Sequence, residues 1–224
     1  MKDLLSKVHI DVNESIYLKN PESSELGRKI IKGSIDMVHA HGFEDFTFKK
    51  LGKEIHSTEA SIYRYFESKH KLLLYLTTWY WGWMEYRLVF AMANIPSSIE
   101  RLQKALRLLT EQVKEDGNFS HINEEKLNYI VISESSKSYL TRDVDVENKH
   151  GVFSGYKEIV ARISDIVLEI NPNYKYPHML ISTVIEGAHL QRYFAVHLPR
   201  LTDVIVGEDS IVEFYKEMVY KAIK

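Results

Sequence analysis

The densest run of side chains able to touch a nucleic acid lies between Phe43 and Phe66, in FEDFTFKKLGKEIHSTEASIYRYF. Thr58, Glu59 and Ser61 cluster where a short helix would begin, and Arg64 follows one turn on. Hydroxyls pair with several base edges, a carboxylate accepts from the exocyclic amine of cytosine, and a guanidinium pairs best with guanine. Thr47 and Lys69 each stand at a helix start, where free backbone N–H groups, the side chain and the helix dipole together suit a phosphate. Ser57 and Lys49 complete the set, one beside the cap of the short helix and the other adding positive charge.

A second kind of chemistry competes with this one. Glu-x-x-His occurs three times, as Glu67/His70, Glu147/His150 and Glu186/His189. Two such pairs with two further glutamates can hold a di-iron centre in a four-helix bundle, so a helical-bundle metalloenzyme is the alternative reading. The contexts argue against it. Glu67/His70 opens a helix beside the Phe43–Phe66 segment, Glu147/His150 falls in a charged, aperiodic stretch, and Glu186/His189 alone sits in an apolar helix. No Gly-rich phosphate loop, zinc-protease motif or nucleophile constellation is present, so neither catalysis nor a cofactor is expected. Trp79, Trp83 and Tyr86, with Tyr156, could line a small-molecule pocket or pack a core. Glu186, His189 and Tyr193 are polar groups on an otherwise apolar helix, suited either to orienting a ligand or to pairing across a dimer.

Those residues need helices to position them. Ser23 or Ser24 can cap a first helix whose Ile30, Ile31, Ile35 and Val38 recur at helical spacing, and Gly42 is the expected stop. Thr47 caps a second helix, Phe48 to Ile55. His56-Ser57-Thr58 turns the chain, and Ser57 or Thr58 caps a third, Glu59 to Phe66. Ser68 caps a fourth that runs past Tyr86. Two short helices joined by a tight turn on a longer first helix make a helix-turn-helix unit. Helices are then expected from Pro96 to about Asp116, Asn123 to Tyr139, Gly151 to Ile170, Pro177 to His197 and Asp209 to Lys224, with Thr141–His150 as a loop. The helix at 177–197 is apolar on nearly all sides, Leu190 and Val196 included, and must be buried. Residues 1–24 stand apart: Val8, Ile10 and Val12 alternate with polar residues, which suits either a hairpin or a flexible arm.

Composition narrows the classes. With 224 residues the chain can bury a substantial core, and with no cysteine it has neither disulfides nor thiolate metal sites, which fits a cytoplasmic protein. The net charge is −2, but between Glu25 and Tyr75 nine basic residues face seven acidic ones, a local +2. That is the sign DNA requires, at low magnitude. Leu72–Ile95 is long enough to span a bilayer, but Glu85 and Arg87 inside it would each cost about 2.5–3.5 kcal/mol, so no membrane association is expected. The N-terminus has scattered charges and no apolar core segment, unlike a signal peptide.

From about Ile30 to Leu76 the chain resembles the DNA-binding domain of the tetracycline-repressor (TetR) family. The likeness rests on Gly42-Phe43, on Thr47, on Ser61-Ile62-Tyr63-Arg64-Tyr65-Phe66 and on Ser68-Lys69-His70-Lys71-Leu72-Leu73, in order. It implies an all-α fold: an N-terminal three-helix helix-turn-helix DNA-binding domain (25–70, after the 1–24 extension) and a C-terminal helical bundle (71–224) for ligand binding and dimerisation. It further implies a transcriptional regulator, more often a repressor, that binds a palindromic double-stranded DNA operator as a homodimer joined through 177–197 and 209–224. The bundle would enclose a pocket for a small-molecule effector, and Tyr63 would give its hydroxyl to a phosphate. The chain departs from the family at His56 and Ser57, where Gly then Val is usual, and at Glu59, where a basic residue is frequent.

Overall fold

The computed structural model describes residues 10–115, 119–204 and 209–224, which are helical with no strand. In chain order the helices are α1 (Glu25–Asp45), α2 (Phe48–Glu54), α3 (Glu59–Tyr63), α4 (Lys69–Met92), α5 (Ser98–Thr110), α6 (Glu124–Glu134), α7 (Ser136–Tyr139), α8 (Val144–Lys149), α9 (Ser154–Ile170), α10 (Pro177–His197) and α11 (Ser210–Ala222). Short 3-10 turns occupy Glu14–Ile16, Pro21–Ser23 and Pro199–Leu201. None of these helices is long and apolar enough to cross a membrane. The described residues form two compact units, one of residues up to 83 with 113–154, the other of 84–112 with 155–224.

In the first unit, local polar caps set the helix starts and apolar faces set their packing. Ser24 accepts from Gly27 N at 3.0 Å, opening α1, whose Ile30, Ile31, Ile35 and Val38 are buried. At Gly42 the backbone reaches φ +77, which a side-chain-bearing residue adopts only with strain, and the helical path breaks there before Phe43. Phe43 and Phe46 then stack at 6.5 Å, anchoring the connection to α2. The helix expected at 59–66 ends at Tyr63, and the N–H groups of Tyr65 and Phe66 both turn back to Ile62 O, at 2.8 and 3.2 Å.

Two expectations for this unit are corrected. Residues 10–24 form neither a hairpin nor a free arm; Val8 lies outside the described residues. They lie as a strap over the unit, with Ile10, Val12 and Ile16 buried. Leu18 N donates to Tyr65 O at 2.8 Å, Asn13 Nδ2 to His150 O at 2.7 Å, and His121 Nε2 lies 2.7 Å from Glu22 Oε1. Period-two alternation here marks one buried face of an extended segment rather than strand pairing. Nor is Thr141–His150 a loop: α8 lies within it, because the buried carboxylate of Glu147 needs partners and finds His70 Nε2 at 3.0 Å and Lys71 Nζ at 3.2 Å.

The second unit is built by packing. α10 buries Leu180, Ile181, Val184, Ile185 and Ala188, and α11 buries Ile211, Val212, Tyr215 and Val219. A Cβ at Gly187 would stand 2.2 Å from Tyr215 Oη, so the missing side chain is what admits the phenol against α10. The Arg192 guanidinium joins the end of α5 to the start of α11, donating from Nε to Thr110 O at 3.1 Å and from Nη2 to Asp209 Oδ1 at 2.6 Å. Within the single chain α10 is not covered all round: Met179, Leu190 and Val196 are 68%, 51% and 72% exposed.

Candidate nucleic-acid interface

The helix-turn-helix is assembled from two helices too short to persist alone, α2 of seven residues and α3 of five. Caps and a tight turn hold them. Thr47 Oγ1 accepts from Lys50 N at 3.2 Å, and Thr58 Oγ1 accepts from Ser61 N at 3.2 Å. Between them Ser57 N donates to Gly52 O at 2.7 Å, and a Cβ at Gly52 would meet Ser57 O at 2.9 Å, so the turn closes directly over that glycine. His56 carries φ +54 here, the strained conformation its place in the turn demands. Beneath the turn Phe48, Leu51, Ile62 and Phe66 are buried and fix the angle between α2 and α3.

One face of this unit carries exposed polar groups. Thr47, Lys49, Thr58, Glu59, Tyr63 and Arg64 are exposed, while Ser57 and Ser61 are partly so. Tyr63 packs its ring edge-on against Phe48 at 5.0 Å while remaining 47% exposed, so the ring is braced and still reachable. By accepting from Lys50 N, Thr47 keeps its own O–H available as a donor to a phosphate. Ser57 contributes through its backbone, as the closing residue of the turn.

Lys69 is placed differently from the phosphate ligand expected at a helix start. Its ammonium donates to Phe43 O at 3.0 Å and Glu44 O at 3.2 Å, and lies 4.7 Å over the Phe43 ring, clasping the α1–α2 connection from α4. A further clasp escaped the sequence altogether. Glu134 Oε1 accepts from Phe43 N at 3.1 Å, and Lys137 bridges Glu134 and Glu44 at 2.7 and 2.8 Å. The hydrogen bonds that Lys137 donates to Glu134 and Glu44 raise its own pKa, and the one to Glu44 lowers that of the carboxylate. No local pattern announces these partners, since Glu134 lies ninety-one residues from Phe43.

The expected ligand-pocket residues divide between the units. Trp79 and Trp83 belong to the first, fully buried and stacked on each other at 6.4 Å, with Phe119 edge-on to Trp79 at 5.0 Å. In the second, Tyr156 Oη donates to Glu186 Oε1 at 2.8 Å, joining α9 to α10. His189 is buried one turn further on, and desolvation pushes its pKa down to about 4, so the ring is neutral near pH 7. Tyr193 stacks obliquely on His197 at 4.4 Å, and Tyr86 on Phe90 at 4.6 Å. Two of the Glu-x-x-His motifs meet, through His70 and Glu147, while Glu186/His189 belongs to the other unit, and among the described residues no group of three or more His, Asp or Glu is placed to hold a metal ion.

Residues 30–76 match the family model of bacterial regulatory proteins of the tetR family. No curated protein matches the sequence. Among solved structures, the chain is similar to AibR in complex with isovaleryl coenzyme A and operator DNA (15% identity, TM-score 0.58, covering 87% of this chain and 97% of that one). It is also similar to the fatty acid degradation regulator FadR from Bacillus halodurans (16% identity, TM-score 0.59, covering 87% and 93%). A third likeness is to the superantigen PfiT (14% identity, TM-score 0.56, covering 91% and 97%). At such identities these likenesses establish the shared fold, and PfiT illustrates that the fold by itself does not carry a function.

Proposed function

Because residues 30–76 match the family model of bacterial regulatory proteins of the tetR family, we propose that the chain is a member that represses transcription by gripping a roughly palindromic operator as a homodimer, and that a small molecule releases it. The observation that carries this reading is the exposed polar face of the helix-turn-helix. There Thr47, Lys49, Ser57, Thr58, Glu59, Ser61, Tyr63 and Arg64 gather on two short helices locked by caps and a glycine-closed turn. In such a unit α3 enters the major groove with its first residues toward the base edges, while Thr47, Lys49 and Tyr63 take phosphates. Lys69 acts one step back, fixing the connection that carries α2.

A second copy is the occupant we assign to the apolar groups left on α10 and α11. Met179, Leu190 and Val196 on one helix and Phe214 on the other are each more than half exposed, an arrangement that in a monomer would be a solubility burden. Pairing these two helices with their counterparts would cover them and place two recognition helices roughly 34–36 Å apart, one turn of DNA. For the effector, Tyr156, Glu186, His189 and Tyr193, with Tyr86, are the polar and aromatic lining we assign. The operator-bound relative was solved with isovaleryl coenzyme A and another regulates fatty acid degradation, which favours an acyl thioester or related small molecule. Whatever its identity, the effector must bind one arrangement of the dimer more tightly than the other, since equal affinity shifts nothing.

Sequencing genomic fragments retained by the purified protein tests the proposal. Enrichment of one inverted-repeat sequence is the expected result; retention without any enriched sequence would overturn it.

A further inference from the structure

The side chains at the start of α3 differ in what they can offer a base. Thr58 and Ser61 are turned on each other: their Oγ atoms are 2.8 Å apart, and Thr58 Oγ1 also holds Ser61 N. Ala60 has nothing polar to present, and Tyr63 is braced against Phe48. Glu59, the first residue of α3, is exposed, and its carboxylate makes no hydrogen bond or ion pair among the described residues. It is an acid on the face that would meet a polyanion.

Ionised, that carboxylate can only accept hydrogen bonds. Guanine shows two acceptors in the major groove, thymine an acceptor and a methyl group, and adenine a donor flanked by the N7 acceptor; cytosine shows the N4 donor with no acceptor beside it. We propose that Glu59 is a specificity determinant that selects cytosine at one position of each operator half-site by accepting from its N4 amine. At guanine, at thymine and along the backbone the same charge meets acceptors or phosphates and is repelled, and at adenine N7 offsets the N6 donor. Glu59 therefore lowers affinity for non-operator DNA while rewarding one base, which sharpens the ratio between the two. This rests on the reading above that α3 enters the major groove.

Selection from a pool of random-sequence duplexes, run in parallel with the wild type and Glu59→Gln, tests it. The wild type should enrich an inverted repeat with cytosine at one symmetric position. Glu59→Gln should exchange that cytosine for adenine, whose N6 and N7 suit an amide, and leave the other positions alone. Discrimination for cytosine at that position should fall about tenfold or more, and affinity for non-operator duplexes should rise. An unchanged consensus would overturn the proposal, including the case of a uniform loss of affinity, which would assign Glu59 to the start of α3 alone. If the wild type enriches no sequence, the DNA-reading function itself fails, and the Glu59 assignment with it.

Discussion

The two units of this chain position their side chains by opposite means. In the first, caps and closed turns set the helix starts, with Thr47, Thr58 and Ser68 each holding a backbone N–H there. The second relies on helices whose apolar faces interlock, tied to one another by side-chain pairs such as Arg192–Asp209, Arg101–Glu169, Arg162–Glu85 and Tyr156–Glu186. Each unit therefore tolerates change in a different place. A reading head must offer rigid polar groups to a ligand that is itself polar, so its geometry is fixed by hydrogen bonds close in sequence. A bundle held by apolar helix faces has its geometry fixed by volume.

Substitutions in either unit have distinct expected effects. The largest expected effect is Phe66→Ala in the first unit, where the buried ring packs edge-on to Tyr75 at 5.4 Å; urea unfolding should show a loss of about 3–5 kcal/mol. Next is acidification, which strikes the second unit. His189 in the folded chain has a pKa of about 4, below the ordinary 6.5. The unfolded chain thus takes up a proton that the folded chain resists. The neutral ring's contribution is complete above about pH 6.5 and is lost as pH falls toward 4, on the order of 3 kcal/mol in total. His189→Gln should flatten that slope; an identical pH profile would show that acid acts elsewhere. Thr58→Ala should cost about 1 kcal/mol and weaken DNA binding more than it weakens the fold, because it loosens the start of α3. The smallest effect has the opposite sign: His56→Gly should stabilise by about 0.5 kcal/mol, the relief of a left-handed backbone at φ +54 less the added freedom of glycine in the unfolded chain.

The same contrast explains what could be read from the residues in order. Caps and turn glycines act over three or four positions, so Thr47, Thr58, Ser68 and Gly42 located the helix starts and the stop correctly. Misreadings arose where partners are distant. Residues 141–150 look like a charged loop until Glu147 is paired with His70 and Lys71, and residues 10–24 look like a hairpin until Leu18 meets Tyr65 and Asn13 meets His150. Lys69 reads as a phosphate ligand from its place at a helix start, yet its ammonium is drawn to the carbonyls of Phe43 and Glu44. For Leu190 and Val196, hydropathy sets how much apolar surface must be covered but not whether this chain or another copy covers it.

The most direct test of the account is equilibrium binding of the selected operator duplex by the wild type, Arg64→Ala and Tyr63→Phe at one salt concentration, with thermal unfolding of each protein alongside. Both side chains are exposed on α3 or at its end, so neither substitution should shift the unfolding temperature. Arg64→Ala should weaken binding about tenfold or more, through loss of a guanine contact, and Tyr63→Phe should weaken it less, through loss of one phosphate contact. Operator affinity equal to that of the wild type in both variants would contradict the docking of α3 in the major groove.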